Sequence, residues 1–181
     1  MFFDRLLFFL LVSSFVYMET HSVSIDVLEQ NQDFVILHYT INDYDISNIS
    51  INDENFNKIV LDGEPNLLIQ GHPELPHVNR SLIIPDNKSS RIEIISYEYS
   101  LINNMDIVPS KGNIKRNIDI NSIPYEKGFI YDKNAFFPSN LAELHNPYIL
   151  RDFRGQVVQF NPFQFNPVTQ ELKVYENMII K

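Results

Sequence analysis

Apolar and polar residues alternate over short stretches along most of the chain, and a period of two residues is typical of β-strands with one buried face. β-branched and aromatic residues, which favour strands, fill these stretches. The stretches are residues 23–28, 34–41, 92–101, 157–167 and 171–180. Pro, Gly and Asn separate them, and no helical apolar period extends beyond about ten residues after the amino terminus. The pattern predicts an all-β fold, an antiparallel β-sandwich of two sheets.

Two connections have signatures of their own. Asn166-Pro167-Val168-Thr169 predicts a tight turn between the last two strands, because Pro fixes φ and the Asn side chain bonds nearby backbone. Residues 109–147 instead contain only short apolar runs between prolines and glycines, at Pro109, Gly112, Pro124, Gly128, Pro138 and Pro147. Such long irregular segments are uncommon in compact domains and often functional. We therefore expect a long functional loop in this region.

The amino terminus indicates export. Residues 6–18 form an apolar run after Arg5 that is short for a membrane-spanning helix, which needs about 20 residues. Its length suits the apolar part of a secretory signal, although an uncleaved anchor or a buried strand remain alternatives. We assign residues 1–22 to a signal peptide and residues 23–181 to a secreted or cell-surface domain. No stable membrane span is expected once the signal is removed.

Charge separates the long loop from the rest of the chain. The net charge is −9 over 181 residues, which argues against nucleic-acid binding because that needs basic patches. Residues 111–133 nevertheless carry a local charge of +2, since five basic residues outnumber three acidic ones. The basic residues are Lys111, Lys115, Arg116, Lys127 and Lys133. A solvated loop with ordinary charge scatter is the simpler interpretation of the composition alone.

The residues give no support for catalysis or for a cofactor. The chain contains no cysteine, which excludes disulfides, thiolate metal sites and a cysteine nucleophile in these residues. Its serines do not occur in a Gly-x-Ser-x-Gly nucleophile elbow. Of the five histidines, His38 lies in an apolar strand and is expected to be structural. The chain itself is therefore predicted not to be an enzyme.

Metal binding is also weakly supported. His72 and His77 lie five residues apart, and the prolines between them preclude a helix that would align both rings. Residues 43–54 are closer to a site, since oxygen-bearing side chains occupy four ligand positions of a calcium-binding loop: Asp43, Asp45, Ser47 and Glu54. Asn48 replaces the turn glycine, and strand-like sequence precedes the segment where a helix is required. An acidic hairpin is the better prediction here.

Six short motifs, in order, resemble the pro-segment of the gingipain-type cysteine peptidases. GHPELP at residues 71–76 is similar to the family's Gly-x-Pro-x-Leu-Pro element. The others are PSKG at 109–112, IPY at 123–125, FFP at 136–138, ILRDFRGQVV at 149–158 and FQFNPVTQELKVY at 163–175. The resemblance runs from about Gly63 to Tyr175. None of the motifs is diagnostic alone, but six in register are specific.

The resemblance implies a β-sandwich, in agreement with the alternation, and also a partner and a site. Pro-segments of this family help the peptidase fold and block its cleft with a basic residue on a loop. In that family the blocking arginine follows the PSKG element by four residues, which places it on Arg116. The expected inhibitory loop thus contains Lys111, Gly112, Lys115 and Arg116, with Lys115 as an alternative after a one-residue shift. The expected partner is the catalytic domain of the cognate peptidase, in cis or in trans.

Two questions stay open at the level of sequence. Either the chain is the amino-terminal part of a longer zymogen, which we favour, or the pro-domain acts as a separate protein. A different class of function is a cell-surface β-sandwich that binds glycan or protein. That alternative needs aromatic residues on an exposed face, and five could supply them: Tyr97, Tyr99, Phe160, Phe163 and Phe165.

Overall fold

A computed structural model describes residues 21–181 of the chain. The predicted signal peptide, except for His21 and Ser22, lies outside these described residues. The described part contains eleven strands and two short 3₁₀ turns, Ile120–Ser122 and Phe129–Asp132. The strands are β1 (Val23–Gln30), β2 (Val35–Ile41), β3 (Asp45–Ile51), β4 (Glu54–Val60), β5 (Val78–Ile83), β6 (Ile94–Ile102), β7 (Ala142–Leu144), β8 (Tyr148–Leu150), β9 (Phe153–Phe160), β10 (Phe163–Asn166) and β11 (Glu171–Ile180).

The strands form antiparallel sheets, and the predicted all-β fold is confirmed. A five-stranded sheet has the order β1-β2-β11-β10, with β6 pairing along the other side of β11. A four-stranded sheet places β9 between β5 and the short strands β7 and β8. The strands β3 and β4 form a third sheet, which is a separate two-stranded hairpin. No helix among residues 21–181 has the length and apolar content needed to cross a membrane.

The core lies between the two larger sheets. Tyr39 of β2 packs against Phe160 of β9, with ring centroids 5.0 Å apart. Phe163 and Phe165 of β10 are as fully buried as Phe160, each with 0% of its surface exposed. Burying a Phe side chain of this kind contributes about 2–3 kcal/mol. The alternation in residues 157–167 therefore marks core positions. The structure divides this stretch between two strands, β9 and β10.

The run divides because Asn161 and Pro162 carry the chain from the four-stranded sheet to the five-stranded one. Pro162 has no N–H to donate to a ladder, which suits a corner between sheets. The turn predicted at Asn166–Thr169 is also present: the Asn166 side-chain oxygen accepts a hydrogen bond from the backbone N–H of Val168 at 3.1 Å. Sequence reasoning located the final hairpin correctly and missed the corner.

Polar side chains of β9, β10 and the corner between them hold the second half of the long loop against the sandwich. Gln156 donates to the carbonyl of His145, Asn161 to that of Asn140, and Gln164 to that of Pro138, at 2.7–2.8 Å. All three side chains are buried. Buried amides cost free energy unless they are hydrogen-bonded, so these contacts satisfy the donor groups of the three amides and fix the loop backbone. The Gln156 side-chain oxygen has no hydrogen-bond partner among the described residues.

Candidate functional site

The base of the basic loop is a short ladder with the GHPELP segment. Ser110 accepts a hydrogen bond from the Gly71 N–H at 2.9 Å and donates one to the His72 carbonyl at 2.7 Å. The Val108 carbonyl accepts a third bond, from Glu74, at 2.9 Å. Backbone bonds of this kind fix where the loop leaves the sandwich. The GHPELP segment therefore holds the base of the loop in place.

The same segment also holds the returning end of the loop. Gly128 donates a hydrogen bond to the Gly71 carbonyl at 2.8 Å. A Cβ atom on Gly128 would lie 2.8 Å from that carbonyl oxygen. The two backbones are therefore too close to leave room for a side chain at residue 128. The His72 ring packs near Phe129 and Phe137, with centroid distances of 5.5 and 5.1 Å. Both ends of the loop therefore meet at Gly71.

Three of the five basic residues brace the fold. Lys111 spans the loop, since its Nζ donates to the Ile120 carbonyl at 2.9 Å and lies 4.2 Å from the centre of the Tyr125 ring. Lys127 pairs with Asp106 at 2.8 Å. Lys133 lies over the Phe129 ring at 4.6 Å. Their charges are used in hydrogen bonding, ion pairing and cation–π contacts.

The other two basic residues form the tip. A turn runs from Lys115 to Ile118, closed by a hydrogen bond from the Ile118 N–H to the Lys115 carbonyl at 3.0 Å. Arg116 occupies the second position of that turn and is exposed. Within residues 21–181, neither Lys115 nor Arg116 makes an ion pair or a side-chain hydrogen bond. The local excess of positive charge is thus concentrated at this turn.

Further contacts keep the loop ordered between its base and its tip. Gly112 has a positive φ of 83°, and its N–H donates to the Ser110 hydroxyl at 3.1 Å. The Asp119 carboxylate accepts the Asn121 N–H at 2.9 Å and caps the first 3₁₀ turn. Beyond the tip, Tyr131 donates its hydroxyl hydrogen to the Ile107 carbonyl at 2.7 Å. Burial raises the pKa of Tyr131, so this group remains a protonated donor.

The calcium candidates are not brought together. The segment forms the β3–β4 hairpin, whose turn residues Asn52 and Asp53 both have positive φ, as a tight two-residue turn requires. Asp45 pairs with Val60 at one end of the hairpin, and Glu54 pairs with Ile51 at the other. Across the described residues, no group of three or more His, Cys, Asp or Glu side chains is placed to hold a metal ion. We make no proposal of a calcium site.

The aromatic residues of the binding-module alternative divide into two sets. Phe160, Phe163 and Phe165 lie in the core. Tyr97 and Tyr99 of β6 are 49% and 48% exposed, and both rings pack on the buried ring of Tyr175 at 5.4 and 5.3 Å. The five residues therefore do not form a common exposed face.

Sequence reasoning did not identify the residues that position the tip. Gly71, His72 and Gly128 act through backbone contacts or ring packing between segments far apart in the chain. The proline-rich GHPELP segment was a visible signal, but nothing in it pointed to residue 128. The cations that brace the loop are all lysines, and residue type alone does not separate them from Lys115.

These observations describe an antiparallel β domain that presents an exposed arginine on a loop fixed at both ends. The Propeptide_C25 family matches residues 18–181 of the chain. The chain belongs to this family and is a propeptide domain of the gingipain type. The absence of cysteine in its sequence agrees with a domain that contributes no nucleophile to a cysteine peptidase.

Two curated relatives are gingipains of Porphyromonas gingivalis. The chain is 45% identical to gingipain R1 and 40% identical to gingipain R2, in each case over 115 residues and 64% of this chain. The match covers 12% of gingipain R1 and 16% of gingipain R2. The chain therefore spans a small part of the length of these relatives.

Two solved structures share the fold. A complex of the pro- and mature domains of Porphyromonas gingivalis RgpB matches with a TM-score of 0.81 and 31% identity, covering 86% of this chain and 82% of that one. A structure concerning the zymogenic latency of gingipain K matches with a TM-score of 0.73, covering 90% and 93%. The second pair is 15% identical, so it bears on the fold alone.

Proposed function

We propose that the chain is an exported pro-domain that keeps a gingipain-type cysteine endopeptidase latent, by inserting Arg116 into the peptidase's primary specificity pocket, and that assists its folding. The observation that carries the proposal is the turn at residues 115–118, where an exposed arginine stands on a loop fixed at both ends. An ordered loop loses little conformational entropy on binding, which favours tight association.

The chemistry of arginine suits this role. Its guanidinium is a planar fork that bonds a carboxylate through two parallel hydrogen bonds, and it stays charged at all relevant pH values. A pocket that selects arginine substrates needs such a carboxylate. Ile118 and Ile120, which are 44% and 57% exposed, flank the turn and offer apolar contact around the charge. Arg116 would thus be the central anchor of the interface, surrounded by contacts that exclude water.

Lys115 gives the loop a second basic side chain at the adjacent position. Its ammonium is a single flexible charge and cannot reproduce the bidentate geometry of a guanidinium. A lysine-selective partner would use Lys115 after a one-residue shift of the loop in the cleft. Alanine at residue 115 and alanine at residue 116 should therefore raise the inhibition constant by different factors. The larger increase identifies the side chain that is inserted.

The test is inhibition of the catalytic domain of gingipain R1 by the chain and its variants. Central anchors contribute about 2–4 kcal/mol, so Arg116→Ala is expected to raise the inhibition constant about 30- to 1000-fold. Lys115→Ala should change it by less than about five-fold. Arg91→Ala is the matched control, because Arg91 is also exposed but lies outside the loop. Equal inhibition by the Arg116→Ala variant and the unmodified chain would refute insertion of Arg116.

The same proposal covers processing and location. Residues 1–22 would be removed as a secretory signal, and the domain would be the amino-terminal part of a secreted or surface-bound zymogen. The small share of the gingipains that the chain matches supports this arrangement. Sequencing of the DNA beyond the codon for Lys181 tests it: a continuing frame that encodes a His and Cys pair is expected for the zymogen. A stop codon would mean inhibition in trans.

A further inference from the structure

Strand β6 is a free edge of the five-stranded sheet. Within the described residues it pairs with β11 alone, from Ile94 to Ile102, so the backbone groups on its other side have no strand partner. An unpaired edge of nine residues is long for a protein of this size and is a template for another strand. Edge strands are usually protected by being short, by a bulge or by a covering segment. The pairing of β6 with β11 shifts by one residue at Ile95, but this edge is neither short nor covered by a strand.

The outer face of β6 is apolar. Tyr97, Tyr99 and Leu101 alternate along the strand and therefore share one face. Ile95 lies where the pairing with β11 shifts by one residue. Each of these four side chains is between 45% and 50% exposed. Tyr175 of β11 lies beneath the two tyrosines, and Lys173 lies over the Tyr99 ring at 4.8 Å. A partner strand at this edge would find an apolar row already formed beside it.

The sequence of β6 is nearly the same in both directions. Residues 94–102 read IISYEYSLI, with Glu98 at the centre. If a second copy pairs antiparallel about a two-fold axis at Glu98, then Tyr97 lies opposite Tyr99, Ser96 opposite Ser100, and Ile95 opposite Leu101. Each side chain thus faces its own kind. Aromatic and apolar cross-strand pairs contribute favourably, and a two-fold interface requires this self-complementarity.

The geometry points to a second copy of this chain as the occupant of the β6 edge, joined antiparallel about Glu98 into a continuous sheet across the dimer. One feature opposes the contact: Glu98 meets its own copy, and Glu176 is close by, since it accepts a hydrogen bond from Ser100 at 3.2 Å. Like charges directly opposite destabilise a strand pair. The dimer should therefore tighten when salt screens these carboxylates, unlike a contact held by ion pairs.

The absence of cysteine makes the register measurable. Directly opposed residues of antiparallel strands have Cα atoms about 4.5–5.5 Å apart, within the range of a disulfide. Under mild oxidation of the full chain, Glu98→Cys should crosslink by itself, because residue 98 faces its own copy. Ser96→Cys and Ser100→Cys should each fail alone, since each lies about 13 Å along the strand from its copy. A mixture of those two variants should crosslink.

Sedimentation of the unmodified 181-residue chain provides the measurement without oxidation. We expect a monomer–dimer equilibrium that shifts toward dimer in about 0.5 M salt. The Glu98→Gln variant should associate up to about five-fold more tightly at low salt. Tyr97→Lys should associate less tightly, and Tyr148→Lys, at a half-exposed tyrosine on β8, should behave like the unmodified chain.

Three outcomes would overturn the inference. One is a monomer at every salt concentration with no crosslink through residue 98. Another is equal crosslinking of Ser96→Cys alone and in the mixture, which would indicate random collision. The third is a monomeric chain whose residue 96 thiol becomes protected only when gingipain R1 catalytic domain is added, which would assign the edge to the peptidase.

Discussion

Replacing Gly128 by alanine tests whether the contact between the two loop ends positions Arg116. Gly128 has φ −86°, which alanine adopts freely, so the effect is steric and not conformational. The new Cβ would lie 2.8 Å from the Gly71 carbonyl oxygen, whereas ordinary contact begins at 3.4 Å. The segments must separate by about 0.6 Å, which strains the hydrogen bond from Gly128 to Gly71.

The cost follows from those contacts. A lost backbone hydrogen bond costs about 1 kcal/mol and overpacking about 1–3 kcal/mol, so the variant should lose about 2–4 kcal/mol of unfolding free energy. Because the base of the loop moves, we expect the inhibition constant for gingipain R1 to rise about five-fold as well, through lost preorganisation. Urea unfolding and inhibition assays on the same preparation measure the two effects.

Gly63 provides a control that also lowers stability but lies outside the loop base. A Cβ at Gly63 meets no atom within 4 Å, but its φ of +77° disfavours alanine by about 1–2 kcal/mol. Gly63→Ala should therefore destabilise the domain and leave inhibition unchanged. An unchanged inhibition constant for Gly128→Ala, or an equal rise for Gly63→Ala, would refute the role assigned to the loop base.

Three further predictions concern the sandwich itself. Arg80 donates hydrogen bonds to both carboxylate oxygens of Glu64, whose side chain is only 9% exposed. Arg80→Ala should therefore lower the unfolding free energy, measured in urea, by about 1–3 kcal/mol. The double variant Arg80→Ala with Glu64→Gln should recover part of this loss. Tyr175→Phe should cost about 1–2 kcal/mol, since it removes the donor to the buried Gln164 at 2.7 Å; unchanged unfolding would contradict this. Burial lowers the pKa of His77 from its usual 6.5, so the unfolded chain takes up a proton at a higher pH than the folded chain does. Stability should therefore fall as the pH drops below 6.5. His77→Gln should flatten that part of the pH–stability curve, and an unchanged slope would exclude His77 as its source.

The sequence predicted the strands well because their alternation is a local property. β1, β2, β6 and β11 occupy the expected ranges within a few residues, and the turn after Asn166 forms through its own side chain. The same alternation could not show that Gln156, Asn161 and Gln164 serve the loop backbone. Their partners lie 11 to 26 residues away, and residue type alone does not reveal them.

The sequence predicts where the basic loop lies, but it does not predict the contacts that support the loop. Local charge and the PSKG motif led to residues 111–116, and the structure places Arg116 at an exposed turn there. Three lysines are held by contacts within the fold: Lys127 by Asp106, Lys111 by Tyr125 and Lys133 by Phe129. Such pairings form only when the chain is folded, so a count of charges could not assign them.

A crystal structure of the chain bound to the catalytic domain of gingipain R1 would test the insertion of Arg116. We expect the Arg116 guanidinium to lie in the primary specificity pocket, with two hydrogen bonds of about 2.8 Å to a carboxylate of the peptidase. A complex in which Arg116 remains in solvent while another part of the domain covers the cleft would contradict it.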